Sequence, residues 1–344
     1  VKNRILWTDA QAGPDDIDLA VFDNEGLPRY FRVRTDPNLN PKRDLMKIAL
    51  SDERAKLLLQ RLTNLGYSLY YHADGESRFI RHDRLRHHWP AVKSGAVSVS
   101  DSGIFYTLEE PSSRQVDRLV VVFSPVSSRA RLVRYFRPSF ATLRKFLAPN
   151  TAVLRVADIG GVKGAFYLDT TALPENGLNV HRLISDVAAR FAVPRDSVVI
   201  YGASKGGTGA VYHGLAGGWR YVAVDPILSD VWYEDYKNDY HFTAGGTFPR
   251  PKQEVFSELF TEITRDRGVS EPGSVLITSS RSPQFAYTSE LIEPLLKRMT
   301  IFDSQNSGIV KHPDVAPKTI YAQVMAINSL LLGVEIPAGI RSIP

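Results

Sequence analysis

Hydrophobic positions along the chain follow two different rules, and the change comes near residue 113. Before it, short alternating runs stand beside one helical stretch. Ile17–Phe22 and Tyr30–Val33 read as strands joined by a turn at Asn24-Glu25-Gly26. Ser51-Asp52-Glu53 caps a helix whose apolar residues Leu57, Leu58, Leu62 and Leu65 recur at helical spacing. Ser68–His72 and Ile104–Leu108 are further strand-like pieces. This pattern predicts a small α+β domain over residues 1–112.

From Val116 onward the strands become continuous apolar runs, as burial on both faces requires. Leu119–Phe123, Val153–Ala157, Ser197–Tyr201, Tyr221–Val224, Ser274–Thr278 and Met299–Phe302 form the series. Helical stretches, among them Val180–Phe191 and Lys205–Leu215, lie between them. Alternation of this kind predicts a mostly parallel sheet covered by helices on both faces, an α/β fold over residues 113–344.

One strand–helix junction carries chemistry. Val198-Val199-Ile200-Tyr201-Gly202-Ala203-Ser204-Lys205-Gly206-Gly207 contains Gly-x-Ser-x-Gly, with a β-branched strand before it and a helix after it. That context defines a nucleophile elbow, in which a sharp turn raises Ser204 Oγ above the sheet. Gly202 and Gly206 flank the turn where a Cβ would collide with the opposite limb, and Gly207 permits close helix–strand packing. A phosphate-binding glycine turn is the competing reading, but Ser-Lys-Gly is the wrong order for Walker A, and no Gly-x-Gly-x-x-Gly is present. The fold expected is therefore α/β-hydrolase-like. In that fold the Lys205 N–H faces a developing oxyanion, and the second donor comes from Ser124-Pro125-Val126-Ser127. Pro125 has no N–H, so Val126 is the candidate.

A nucleophilic serine needs a base and an acid, in the chain order Ser, acid, His. His213 is too near Ser204 in sequence. His312 follows the last expected strand in a loop and is the candidate base. The usual place for the acid, after Thr278, reads Ser279-Ser280-Arg281-Ser282-Pro283-Gln284 and holds no carboxylate. Asp225, ending the preceding strand, ranks first, with Asp303, Asp230 and Glu290 behind it. A strand-end turn before Pro226 is the structural alternative for Asp225.

Residues 227–270 are rich in aromatics, including Trp232, Tyr233, Tyr236, Tyr240, His241, Phe242 and Phe248. They are expected to form a cap over the site, with Trp232, Tyr240 and His241 as substrate contacts. Lys163, in the loop Asp158-Ile159-Gly160-Gly161-Val162-Lys163-Gly164 at a strand's carboxyl end, joins that list. The basic run Arg78, Arg81, Arg84, Arg86, His87 and His88 reads as a solvated face or an anion site.

Composition narrows the chemistry further. The 344 residues contain no cysteine, which excludes a disulfide framework, a thiolate nucleophile and Cys-ligated metals. No run approaches the roughly 20 apolar residues of a membrane span. Val1–Trp7 reaches polar Thr8-Asp9 too soon for a signal-peptide apolar region, so the reading is cytoplasmic. No cofactor, metal or nucleic-acid partner is called for. The net charge of +5 weakly favours anionic partners, and by composition nucleic acid, sugar nucleotides, phosphate-bearing glycans and acyl-CoA are equal candidates.

Tyr201–His213 followed by Ala223-Val224-Asp225-Pro226-Ile227-Leu228-Ser229-Asp230 resembles capsular-polysaccharide biosynthesis proteins of the XcbB/CpsF type. The likeness continues through Asn238–Thr243 and Phe248-Pro249 and covers mainly the C-terminal two-thirds. More distantly the chain is similar to the glycan O-acetyltransferase of accessory secretion systems. The resemblance implies an enzyme acting on a surface glycan or its precursor, with Ser204, Asp225 and His312 as the residues carried over. Two readings stand beside it: an esterase, thioesterase or peptidase on a small substrate, and a non-catalytic glycan-binding scaffold.

Overall fold

The computed structural model describes residues 5–10, 28–35, 43–265 and 273–344. The expected strand Ile17–Phe22 and the turn after it lie outside the described residues.

Two sheets organise the chain. The first contains β1 (Ile5–Asp9), β2 (Tyr30–Arg34), β3 (Tyr67–Ala73) and β4 (Glu76–Arg81), in the order β1-β2-β4-β3. The second has nine strands: β5 (Ser98–Val99), β6 (Phe105–Glu109), β7 (Arg118–Phe123), β8 (Thr151–Val156), β9 (Val198–Ala203), β10 (Arg220–Val224), β11 (Ser274–Thr278), β12 (Thr300–Ser304) and β13 (Gly339–Ile343). Its order is β13-β12-β11-β10-β9-β7-β8-β6-β5. All pairings from β13 to β8 are parallel, and β6 and β5 are added antiparallel. With helices on both faces, this is an α/β-hydrolase-like fold.

Sequence periodicity and structure diverge in three places. The strand expected at Ile104–Leu108 pairs with β8 of the large sheet, so the hairpin β5–β6 belongs there and not with the N-terminal segment. A ladder partner 46 or so residues away leaves no local mark in sequence. The strand β13 was not expected, because its apolar content is low and its side chains are mostly exposed at the sheet edge. Residues 252–265 are not part of the cap. They form a helix that buries Phe256 and Phe260, four residues apart, in the core beneath the sheet.

The helices are α1 (Leu45–Ala49), α2 (Glu53–Asn64), α3 (Leu85–His88), α4 (Pro90–Lys93), α5 (Asn176–Arg190), α6 (Lys205–Gly217), α7 (Val231–Lys237), α8 (Lys252–Arg265), α9 (Phe285–Ile292), α10 (His312–Lys318) and α11 (Ile320–Leu331). Alternate residues of each central strand go to opposite faces. Val121, Phe123, Ile200 and Ala223 meet α5, α6 and α8, while Val122, Val199, Tyr201 and Val224 meet α10 and α11. In α2, Asp52 accepts the Ala55 N–H at 2.9 Å, as the cap reading requires. The buried stripe is Leu58, Leu59 and Leu62, and Leu57 is exposed.

The smaller sheet and α1–α2 close on their own core, yet Val162 and Phe242 of the larger unit are buried inside it. Around Phe242 the contact is polar. Gln60 Nε2 donates to Ala244 O at 3.0 Å, Asn64 Nδ2 to Gly245 O at 2.9 Å, and Asn238 Nδ2 to Leu50 O at 2.9 Å. Arg134, fully buried, donates from Nε to Val162 O at 2.9 Å and from Nη1 to Leu69 O.

Beyond β8 the chain turns back on a single carboxylate. Asp158 accepts the N–H groups of Ala165, Phe166 and Tyr167 at 3.0–3.1 Å and pairs with Lys205 Nζ at 2.7 Å, both side chains fully buried. Phe166 and Tyr167 both have positive φ, 57° and 62°, an unfavourable backbone that these bonds hold in place. Gly164 is required because a Cβ there would lie 2.2 Å from Asp158 Oδ2. Asp158→Asn keeps the shape and leaves Lys205 buried without its counter-charge, so a loss of about 3–5 kcal/mol is expected. Chemical denaturation measures it. Combining Asp158→Asn with Lys205→Met should restore part of that loss, and strict additivity of the two would show that the pair is not coupled.

Candidate active site

The order β10-β9-β7-β8 places the reversal of strand order between β7 and β9, and ligands in open α/β sheets bind at such a switch. Ser204 follows β9, the Val126 loop follows β7, and the Asp158 loop follows β8. All three leave the sheet at carboxyl ends.

Ser204 has φ 56° and ψ −120°, a conformation that a non-glycine residue adopts only when its surroundings enforce it. The enforcing contacts are close. A Cβ on Gly202 would stand 2.0 Å from Gly206 O, so the two limbs of the turn touch as expected. Gly206 is constrained differently: its Cβ would meet Phe123 O at 2.6 Å, on the neighbouring strand and not on the opposite limb. Gly207 lies against Pro226 and Val224 O. Ser204 N–H donates to Val224 O at 2.8 Å and Thr208 Oγ1 donates to Ile227 O at 2.8 Å, tying the elbow to the turn that carries Asp225.

The three residues expected to act together do meet. His312 Nε2 is 2.8 Å from Ser204 Oγ, and His312 Nδ1 is 2.7 Å from Asp225 Oδ2. His312 is the first residue of α10 rather than part of a mobile loop, and β12 before it is not the last strand. Asp314 Oδ2 accepts the N–H groups of Val310 and Lys311 at 3.2 and 3.1 Å, which fixes the start of that helix. Asp225 is buried, with φ 41°.

The carboxylate-free segment after β11 explains how Asp225 is held. Thr278 Oγ1 donates to Asp225 Oδ1 at 2.7 Å, and Ser282 Oγ donates to Oδ2 at 2.6 Å. Hydroxyls thus stand where the acid was first sought, and they orient an acid from the adjacent strand. Sequence reasoning missed both, although Thr278 ends a strand that neighbours β10. The other carboxylates are committed elsewhere. Asp303 accepts Ser280 N–H at 2.7 Å, Asp230 pairs with Lys252 at 2.5 Å, and Glu290 is exposed on α9.

Lys205 is the first residue of α6, where an N–H has no partner within the helix. In the β7 loop, Ser124 N–H is taken by Tyr167 Oη at 2.5 Å, leaving Val126 as the first N–H without a partner in the chain. The side chain of Lys205, not anticipated to matter, makes the buried pair with Asp158. Burial pulls its ammonium below the usual lysine range, and Asp158 opposes that shift.

Above the elbow, Val126, Phe166, Ile227, Trp232, Tyr233, Tyr240 and Phe248 pack as one aromatic cluster. Tyr240 Oη bonds to Ser128 Oγ at 2.6 Å, joining the cap to the Val126 loop. His241 is buried against Tyr233, ring centroids 3.9 Å apart, and the Tyr233 ring lies 6.4 Å from His312. Burial, reinforced by the positive charges of Lys163 and Lys252, holds His241 well below the usual histidine range. Lys163 is buried with Nζ 2.9 Å from the Tyr240 ring centroid. The basic run is paired only in part: Arg78 shares Glu76 with Arg32, and Arg81 and Arg84 share Asp83. His213 Nε2–H donates to Tyr167 O at 2.9 Å, and burial lowers the imidazole to about 3.

No family model and no curated protein matches the chain. Among solved structures, the fluorophosphonate-binding serine hydrolase F of Staphylococcus aureus is 14% identical, with 67% of this chain and 96% of that one covered and a TM-score of 0.49. A glycosylation-associated protein complex from Streptococcus agalactiae is 14% identical over 78% of this chain and 51% of that chain, TM-score 0.49. The capsule O-acetyltransferase of Neisseria meningitidis serogroup A is 15% identical over 67% and 94%, TM-score 0.48. These likenesses assign no activity; the site is read from its own geometry. No helix among the described residues is long and apolar enough to cross a membrane.

Burial lowers Lys163 to about 6, with Asp239 and Asp44 opposing and Arg134 reinforcing the shift. The unfolded chain therefore binds one more proton than the folded one between that value and the ordinary lysine pKa. Stability from this group is complete above the unfolded value and is lost as pH falls towards 6. Thermal melts should show wild type gaining stability from pH 6 to 10 more steeply than Lys163→Met. Equal slopes would show that Lys163 is already charged in the folded protein.

Proposed function

We propose that the chain is a serine-dependent acyl-transfer or ester-cleaving enzyme acting on a capsule or cell-surface polysaccharide or its precursor. The observation that carries the chemistry is the continuous hydrogen-bonded line Ser204–His312–Asp225 on a strained elbow. The glycan part rests on the sequence resemblance around Tyr201–Asp230.

In this reading Ser204 Oγ attacks an acyl carbonyl while His312 Nε2 takes the hydroxyl proton. Asp225 holds the imidazole by Nδ1–H and stabilises the imidazolium. The tetrahedral oxyanion is met by the N–H groups of Lys205 and Val126. His312 returns the proton to the departing alcohol or thiol, leaving Ser204 acylated. A sugar hydroxyl or water then attacks the ester, giving its proton to His312, which passes it to Ser204 Oγ as the serine leaves. Trp232, Tyr240, His241 and Lys163 form the substrate side of the site.

Labelling by a fluorophosphonate followed by peptide mapping tests the nucleophile. Wild type should label at Ser204, and Ser204→Ala should fold normally and not label; full labelling of Ser204→Ala sinks the assignment. Asp225→Asn should slow turnover of an activated ester by orders of magnitude, about 10⁴-fold in the well-studied protease case. Ser282→Ala should give a much smaller loss, since one of three donors to Asp225 is removed. Acyl donors assayed with and without glycan acceptor separate transfer from hydrolysis: transfer gives an acylated saccharide, and hydrolysis gives free acid alone.

A further inference from the structure

Three buried lysines stand around the junction of cap and sheet, and their surroundings differ. Lys205 is paired with Asp158 at 2.7 Å, and Lys252 with Asp230 at 2.5 Å. Lys163 is equally deep, 1% exposed, but its Nζ has neither an ion-pair nor a hydrogen-bond partner. It touches rings instead, with Tyr240 at 2.9 Å and Phe242 at 5.5 Å.

The carboxylates whose fields reach Lys163 are already committed. Asp239 accepts Thr243 N–H and Oγ1–H at 2.8 and 2.9 Å, and Ala244 N–H at 3.1 Å. Asp44 caps α1 through Lys47 N–H and pairs with Lys47 Nζ at 3.4 Å. Arg134 adds a second positive charge from the β7–β8 connection. Next to this group, His241 is 3% exposed and its Nδ1 is buried without a partner. The basic side chains around His241 are Lys163, Lys252, His312 and Lys205, of which Lys252 and Lys205 are each paired with a carboxylate. A path of rings runs from here to the nucleophile's base, Tyr240 to His241 at 5.4 Å, His241 to Tyr233 at 3.9 Å, and Tyr233 to His312 at 6.4 Å.

Buried polar atoms without partners are rare in folded proteins, because the lost hydration is not replaced. Two together, in a basic surrounding and three rings from the imidazole, describe a place prepared for acceptor atoms of a ligand. We propose that Lys163 and His241 form the subsite for an anionic group of the substrate, a carboxylate or phosphate, seated under the cap beside Ser204. This deepens the acyl-transfer reading and names its substrate class: an acidic saccharide or an acidic acyl donor. The bound anion supplies Lys163 with the acid that Asp158 and Asp230 supply to the other two lysines. Tyr240, partly exposed, covers the ammonium with a ring that also reaches solvent.

A consequence follows for protons. Lys163, lowered to about 6 by burial, is largely uncharged at pH 7–8, so an anion binds together with a proton taken from solvent. Anion affinity should therefore tighten as pH falls from 8 to 6.

The test measures how sugars protect Ser204 from an uncharged alkyl fluorophosphonate. Glucuronate, glucose 1-phosphate and glucose are compared, each protein scaled to its own labelling rate without sugar. At least one of the two anions should protect at concentrations at least tenfold below glucose, more strongly at pH 6 than at pH 8. In Lys163→Met that preference should disappear. Protection by glucuronate alone identifies a carboxylate subsite, and by glucose 1-phosphate alone a phosphate subsite. Equal protection by all three sugars, or an anion preference that survives in Lys163→Met, overturns the proposal while leaving Ser204 as nucleophile. If Ser204 does not label at all, calorimetric titration of the two anions into wild type decides. Binding with proton uptake, lost in Lys163→Met, upholds the subsite and discards the acyl-transfer reading; no binding discards the subsite.

Discussion

The ion pair between Asp158 and Lys205 lies where three parts of the candidate site meet. Asp158 ends the run beyond β8, and Lys205 opens the helix that leaves the nucleophile elbow. With both side chains fully buried, two opposite charges at 2.7 Å cannot part without stranding one of them. Asp158 also gathers three successive N–H groups, so the same carboxylate that anchors the elbow helix sets the backbone of Ala165–Tyr167. Tyr167 then passes the constraint on. Its hydroxyl accepts Ser124 N–H and donates to Val156 O, locking the ends of β7 and β8 together. Its ring stacks on Phe123 at 3.9 Å, over Gly209 of α6, where a Cβ would lie 2.6 Å from the ring. One buried charge pair is thus linked, through Tyr167, to the ends of β7 and β8 and to the elbow helix.

A second layer of constraint acts on the acid. Asp225 sits one strand away from the place where the acid was first sought, and it is kept there by hydroxyls from that very place. Thr278 and Ser282 donate to its two oxygens, which fixes the carboxylate facing His312 Nδ1. The arrangement separates two tasks that one side chain performs elsewhere: β10 supplies the charge, and the segment after β11 supplies the orientation. That division leaves Ser204, His312 and Asp225 in line without a carboxylate after Thr278.

The N-terminal unit bears on the site through the cap. Asn238, Asp239 and Phe242 all have positive φ, a run that pushes Phe242 into the N-terminal core and turns Tyr240 and His241 towards the elbow. The bonds from Gln60, Asn64 and Asn238 fix that turn from the outside, and Asp239 fixes it from within. Burying a phenylalanine stabilises by about 1.5–3 kcal/mol, enough to keep the aromatic lining ordered over the nucleophile. The aromatic residues of the cap are therefore held by both units.

Sequence alone determined the features that are local. The elbow is a run of consecutive residues in which Gly202 meets Gly206 of the opposite limb, so Gly-x-Ser-x-Gly between a strand and a helix was legible, although Gly206 and Gly207 are also constrained by neighbouring strands. The central strands were legible too, since burial on both faces writes itself as continuous apolar residues. His312 and Asp225 could be ranked by chain order, but only the fold brought them within 2.7 Å across 87 residues. Tertiary structure alone decided what depends on partners far apart in the chain: the pairing of β6 with β8, the hydroxyls that hold Asp225, the buried pair of Lys205, and the unpaired state of Lys163. A lysine reads the same in a sequence whether it is solvated, paired or stranded. Which it becomes is set by whether folding brings a carboxylate to it, and no short-range pattern records that.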